Sequence, residues 1–136
     1  MPYEECIAYL LAKAYQRAHA VVKRRMAAYG LTPVQQLVLA AVHQEEGLSA
    51  GDLSEKLILD PATLSGVLDR MAERGWIIKQ PDPDDKRVLQ IRLTDQARGL
   101  EPTLMQERDK ANDEILAKLS LEEKVLLKRL LKDLKD

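Results

Sequence analysis

The tightest constraint on the fold lies in residues 60–94, DPATLSGVLDRMAERGWIIKQPDPDDKRVLQIRLT. A short capped helix is followed there at once by two strand-like runs around a loop dense in proline and aspartate. Asp60 can accept from the free N–H groups of a first helical turn, and Pro61 suits the first helical position because its missing donor is not needed there. Leu64, Val67, Leu68 and Met71 recur at helical spacing and predict one buried stripe, and Gly75 provides the stop. Opposite the stripe lie Ala62, Gly66, Asp69 and Glu73, with Thr63 and Arg70 on one shoulder and Ser65 on the other. This outward face is small and hydroxylated near its start, which suits a helix whose N-terminus nears base edges and phosphate in a major groove.

Trp76 to Gln80 forms a β-run, and Val88 to Leu93 alternates with Leu89, Ile91 and Leu93 on one face. Between them PDPDDK favours a tight exposed loop. Lys86 and Arg87 fall at its tip or descending edge, where an arginine can reach the enhanced negative potential of a narrow minor groove. Asp85 beside them suits a brace that fixes an arginine by hydrogen bonding.

Asp85, Arg87, Ile91, Leu93 and Thr94 match the pattern DxRxxxIxLT. Together with LDRMAERGW at 68–76 and GLTPVQQLVLAAV at 30–42, they resemble the MarR family of bacterial and archaeal transcriptional regulators, over nearly the whole chain in length and element order. The resemblance implies a homodimeric winged helix-turn-helix protein that binds a pseudo-palindromic operator, usually as a repressor. It also implies release of the operator by a small-molecule effector or by cysteine oxidation. The family pattern favours Arg70 as a partner of Asp85 in bracing the wing, with Arg87 as the groove probe, although Arg70 is also placed to touch phosphate directly.

The fold class expected is therefore mainly α with a small β-wing, a winged helix-turn-helix flanked by N- and C-terminal dimerisation helices. The 136 residues suit one domain, with 30–94 as the DNA-binding region and 1–29 and 95–136 as the dimerisation helices. Residues 3 to about 29 carry Ile7, Leu10, Leu11, Ala14, Ala18, Val21, Val22 and Met26 at helical intervals, predicting one helix of roughly 40 Å. Thr32 with Pro33 opens the next helix, which runs through Leu37, Ala41 and Val42 toward Gly47. Ser49 with Asp52 caps a short helix holding Leu53 and Leu57, and Thr94 caps another. Ser120 with Glu123 caps a last one striped by Leu127, Leu130, Leu131 and Leu134. Pro102, inside the helical stretch 95–119, is expected to bend or restart it. Two long terminal segments offer more apolar face than one small winged domain can cover; a dimer solves this, and folding back onto the same domain is the alternative.

Charge supplies no help to the DNA reading. Lys and Arg total 21 against 22 Asp and Glu, and residues 53–94 hold seven of each sign. Any positive footprint must come from folding that gathers Lys56, Arg70, Arg74, Lys79, Lys86, Arg87 and the Lys23–Arg25 run while turning acids away. Asp69 and Glu73 oppose that footprint, since acids facing a phosphate rail repel it, unless they flank the groove or read cytosine amino groups. No segment approaches the ~18 continuous apolar residues of a membrane span, and MPYEEC lacks a basic stretch leading into an apolar one, so a cytoplasmic protein is expected.

Cys6, the single cysteine, excludes an intramolecular disulfide and any cysteine-only zinc site within one chain. It lies between Tyr3 and Tyr9, and the family includes peroxide sensors with a cysteine and tyrosines in this helix. The cysteine of those sensors falls nearer the GLT segment, and a free cysteine on a helix is usually a small hydrophobe. His19 and His43 have no neighbour at ligand spacing, so neither a metal nor a cofactor is expected. Tyr15 and His19 are candidates for an effector crevice, because polar groups on the first helix face that way in relatives; packing is their plainer role. For Thr63 and Ser65 the plain role is surface polarity. There is no glycine-rich phosphate loop, nucleophile elbow or paired His and Cys motif, so no catalytic residue is assigned. The expected partners are double-stranded DNA, a second copy of the chain and a small-molecule effector. The rival function is a winged helix used as a protein-interaction module, for which Arg87 beside Lys86 would be incidental.

Overall fold

Each helix after the first opens on a side-chain oxygen that accepts from a first-turn N–H. These are Thr32 before α2 (Pro33–Gln44), Ser49 before α3 (Ala50–Leu57), Asp60 before α4 (Pro61–Glu73), Thr94 before α5 (Asp95–Ile115) and Ser120 before α6 (Leu121–Leu134). Thr32, Ser49 and Ser120 complete reciprocal boxes with Gln35, Asp52 and Glu123. This computed structural model describes residues 1–135.

The expected single helix over residues 3–29 is instead broken. A 3-10 turn at Tyr3–Glu5 ends at Cys6, whose backbone is extended, and α1 then runs from Ile7 to Ala27, about 31 Å at 1.5 Å per residue. Tyr3 and Tyr9 meet edge to face with ring centroids 5.2 Å apart, folding the turn back onto the first turn of α1. At Pro102 α5 runs on without a restart. The missing N–H of the proline leaves the carbonyl of Arg98 without its helical donor, and both residues are exposed, so water can satisfy that oxygen.

Three antiparallel strands, β1 (Leu48–Ser49), β2 (Ile77–Pro81) and β3 (Leu89–Leu93), form a sheet in the order β1-β3-β2. Ile77 pairs with Leu93, Lys79 with Ile91, and Pro81 with Leu89, while Leu48 pairs with Ile91 from the other side. β1 was not anticipated: two residues carry no alternation, and their strand geometry exists only because β3 lies beside them. Gly47, at φ 86°, turns the chain into this pairing, and its N–H donates to the carbonyl of Ile91.

The core joins Leu39 and Val42 of α2, Leu53 of α3, Leu64, Val67, Leu68 and Met71 of α4, Ile91 and Leu93 of β3, and Leu104 of α5. The stripe predicted on α4 is thus the face that seats it. Truncating a fully buried leucine of this set, such as Leu64→Ala, costs about 2–5 kcal/mol. α1 packs along α5 and α2. The first half of α1 is open: Ile7, Leu10 and Leu11 are exposed, although the sequence places them on an apolar stripe. α6 buries none of its residues, and Leu121, Val125, Leu126, Leu130, Leu131 and Leu134 all face outward. The terminal helices therefore do not exhaust their apolar faces within one chain. No helix among the described residues is long and apolar enough to cross a membrane.

Candidate nucleic-acid interface

α3 and α4 form the helix-turn-helix. The turn between them begins at Ile58, which ends α3 in the left-handed region at φ 52° and is 89% exposed. That conformation is rare for a β-branched side chain. It redirects the chain so that Asp60 can cap α4. Thr63 donates its backbone N–H to Asp60 Oδ1 at 2.9 Å and its hydroxyl to Oδ2 at 2.6 Å. The Thr63 hydroxyl bond and then the backbone bond hold the Asp60 carboxyl below the usual carboxylate range.

Thr63, Ser65, Asp69, Arg70 and Glu73 are exposed on the outer face of α4, opposite the buried Leu64 stripe. Gly66 sits between them. A Cβ there would lie 3.5 Å from Arg70 Nη1 and 3.8 Å from Nη2, so the guanidinium lies back over the preceding turn of the helix. Arg70 does not brace the wing. The Asp85 carboxylate is occupied by Arg87, whose Nε donates to Oδ1 at 3.1 Å and Nη2 to Oδ2 at 3.2 Å, with the Arg87 backbone N–H adding a third bond at 3.1 Å. One residue separates these partners along a turn, a distance over which a planar fork meets a carboxylate with little loss of freedom. The Arg87 side-chain bonds and then its backbone bond lower the Asp85 carboxyl from its usual range.

Asp82 was missed by sequence reasoning and shapes the wing tip. Its Oδ1 accepts from the N–H of Asp84 at 2.8 Å and of Asp85 at 3.4 Å, and its Oδ2 accepts from Gln90 Nε2 at 3.1 Å. The signal was an aspartate opening the turn PDPDD, where a short carboxylate bonds the backbone two residues on. The result is a stiff tip from which Arg87 projects with its side chain 91% exposed, beside an exposed Lys86.

The acid on the outer face is dealt with locally. Asp69 forms an ion pair with Lys79 of β2, which neutralises it and ties the wing to α4. Arg74 turns away, donating to the carbonyl of Gly30 at 3.3 Å. The expected contribution of Lys23–Arg25 to a positive footprint is not made as a run: Arg24 pairs with Glu114, and Arg25 with Glu107 and Glu114 of α5. Lys56 lies 3.8 Å from Glu45. Among the described residues, the cations of the α4 and wing surface with no ion pair are Arg70, Arg74, Lys86 and Arg92.

Away from this surface, Tyr15 and His19 of α1 border a crevice of about 200 Å³ with Ala18, Val22, Pro33, Val34, Gln36 and Leu37. Their rings lie 5.6 Å apart at 45°. The walls are mostly apolar, and the volume suits one small ring, since a cavity of about 150 Å³ holds benzene. Tyr15 is exposed in the single chain. Cys6, the chain's single thiol, is half-buried at the break before α1. Among the described residues no group of three His, Cys, Asp or Glu side chains is close enough to hold a metal ion.

Residues 31–89 match the MarR family model. The HTH-type transcriptional repressor NicR of Pseudomonas putida is 32% identical over 101 residues, 73% of this chain and 64% of that protein. The chain spans about half to two thirds of the length of the curated relatives it matches. Among solved structures, Bordetella bronchiseptica BpsR, described for regulation of its DNA binding by 6-hydroxynicotinic acid, superimposes with a TM-score of 0.93 at 27% identity, covering 100% of this chain and 97% of that one. A probable transcriptional regulator from Pseudomonas aeruginosa is 31% identical with a TM-score of 0.91, covering 98% of this chain and 99% of that one. With a helix-turn-helix packed against a three-stranded wing, and with a structural likeness running from end to end, the chain belongs to the MarR family of helix-turn-helix transcriptional regulators.

Proposed function

We propose that this chain is a sequence-specific DNA-binding transcriptional regulator that acts as a homodimeric repressor of a pseudo-palindromic operator and is released by a small ring-shaped effector. The observation that carries the reading is the joint presentation of α4 and the wing. The outer face of α4, with Thr63, Ser65, Gly66 and Arg70, enters the major groove, and Lys86 and Arg87 at the stiff wing tip reach the adjacent minor groove. The Asp85 brace fixes the direction of Arg87 rather than contacting DNA. Residues 30–94 are the DNA-binding region, and 1–29 with 95–136 are the dimerisation helices. The uncovered apolar faces of α1 and α6 support the dimer, which sets two copies of α4 about 34 Å apart on successive major grooves.

Repression is supported by the likeness to NicR, and effector release by the likeness to BpsR together with the crevice at Tyr15 and His19. A ligand seated between α1 and α2 changes the spacing of the reading helices, and a coupling of ~1–3 kcal/mol weakens DNA binding 5- to 150-fold. The site of action is the cytoplasm, where the operator is.

The test is selection of bound duplexes from a random DNA pool, run in parallel with Arg87→Ala. The expected result is enrichment of a two-fold symmetric site by the unaltered protein and at least a tenfold loss of affinity for it in the variant, which stays folded. No enrichment at low salt overturns the DNA reading in favour of a protein-interaction module.

A further inference from the structure

Arg92 has no ion pair, yet its guanidinium is committed within the wing. It stands on the face of β3 opposite the buried Ile91 and Leu93, paired with Ile78 of β2 and two residues from the Gln80 and Gln90 pair on the same face. Nε donates to Oε1 of Gln80 at 3.0 Å and Nη2 to Oε1 of Gln90 at 3.1 Å. The guanidinium also lies over Gly47, where a Cβ would come within 3.1 Å of Nη2 and 3.5 Å of Cζ. The absent side chain at Gly47 is what lets the group settle at the root of the hairpin.

These bonds decide which way the Gln90 amide faces. Arginine has donors only, so the atom set against it must be the amide oxygen, and a carboxylate accepts only, so the atom set against Asp82 must be the nitrogen. Gln90 Nε2 accordingly donates to Asp82 Oδ2 at 3.1 Å, while Asp82 Oδ1 takes the N–H groups of Asp84 and Asp85. Asp85 in turn holds Arg87 through both carboxylate oxygens. One line of hydrogen bonds therefore runs from the root of the wing to its tip, from Arg92 through Gln90, Asp82 and Asp85 to Arg87, with no step longer than 3.4 Å.

We propose that Arg92 is a positioning residue for DNA recognition: it sets the angle of the wing tip, and so the approach of Arg87 to the groove, without touching a phosphate itself. The inference rests on the reading of Arg87 as the groove probe and adds what aims that probe. Arg92 has two donor groups bound inside the sheet and sits at the root of the hairpin, whereas Lys86 and Arg87 stand exposed at its tip. A tip ordered in advance spares the entropy of fixing it on binding.

The test measures affinity for the duplex selected by the unaltered full chain, across a salt series, in Arg92→Met, Gln90→Met, Arg87→Ala and the Arg92→Met, Arg87→Ala double variant. Arg92→Met and Gln90→Met should each weaken binding about fivefold with the slope of affinity against salt unchanged, because neither residue neutralises a phosphate. In the Arg87→Ala background, Arg92→Met should cost nothing further, since the side chain it aims is gone. Nitrogen relaxation adds a readout that needs neither DNA nor a variant. In the unaltered protein, backbone order parameters from Asp84 to Arg87 should lie near the rigid value of about 0.85, and in Arg92→Met they should fall below about 0.6. A slope reduced by about one in Arg92→Met, with Gln90→Met neutral, makes Arg92 a phosphate contact and overturns the proposal alone. A disordered tip in the unaltered protein, or losses that add fully to that of Arg87→Ala, does the same. Unchanged affinity in Arg87→Ala instead overturns the reading of the wing beneath it.

Discussion

Lys79 on β2 is ion-paired with Asp69 on the outer face of α4, joining the wing to the helix it flanks. The pair is partly open to solvent, so its net contribution to folding is small, about 0–1 kcal/mol. Its larger effect is on what the proposed DNA partner meets. Without Lys79, an unpaired acid faces the phosphates and a cation is lost. Lys79→Met should therefore weaken operator binding about tenfold, and Asp69→Asn should strengthen it, with the slope of affinity against salt reduced by about one in Lys79→Met. Fluorescence titrations across a salt series would check this; equal affinities for all three proteins would show that the pair lies off the DNA surface.

Dimerisation should depend on the outward face of α6. Leu126 and Leu130 are exposed in the single chain and lie outside its buried core, so Leu126→Glu with Leu130→Glu spares that core. The double variant is expected to sediment as a 15.4 kDa monomer with its helical content intact, and to lose at least tenfold in operator affinity as the second half-site contact disappears. Retention of the dimer in sedimentation velocity would place the interface elsewhere.

Acid should loosen the fold through carboxylates that are held low. The Asp60 carboxyl is lowered by the Thr63 hydroxyl and backbone bonds, and Glu114 by its bond to Arg24 and then its bond to Arg25. A carboxylate lowered in the folded chain contributes stability that is complete above its unfolded value, about 4, and is lost as pH falls through its folded value. Urea midpoints should therefore hold steady from neutral pH to about pH 5 and decline below about pH 4. Asp60→Asn retains a capping oxygen without a titrating group, so its decline should be shallower, while Asp60→Ala should be less stable than either at neutral pH.

Ile58 holds a left-handed backbone that costs an L-residue about 1–2 kcal/mol, with its side chain almost wholly in water. Asparagine tolerates that conformation. Ile58→Asn should stabilise the chain by about 1 kcal/mol, raising Tm by roughly 3–5 °C. A lower Tm in a calorimetric scan would mean that Ile58 makes a contact beyond the single chain.

What the sequence disclosed was chiefly local chemistry. The caps at Thr32, Ser49, Asp60, Thr94 and Ser120 each depend on residues within one turn, so three or four letters suffice to find them. The stripe on α4 and the alternation of β3 were legible for the same reason. What stayed hidden depends on partners distant in the chain. Leu48 and Ser49 become a strand only beside Ile91 and Gln90. Arg25 spends its charge on Glu114, 89 residues away, and so is not free for DNA. The assignment of Arg70 to Asp85 failed because Arg87 stands closer along the chain and fits the carboxylate with both its side chain and its backbone. The turn at Cys6 was invisible because its neighbours keep helical spacing on either side.

The seam between α1 and α5 is closed largely by charge: Arg17 donates to the carbonyls of Glu114 and Ile115, and Arg24 and Arg25 share Glu114. These partners come from opposite ends of the chain. During synthesis every residue of the winged unit is added before Glu114, so Arg17 and Arg24 of α1 lack their partners until α5 is nearly complete. Premature termination between residues 104 and 113 would therefore yield a polypeptide that keeps Leu104 for its core, yet leaves Arg17 and Arg24 without their partners and lacks α6. Such fragments would be sticky toward nucleic acid without sequence preference, which gives the cell a reason to degrade them quickly.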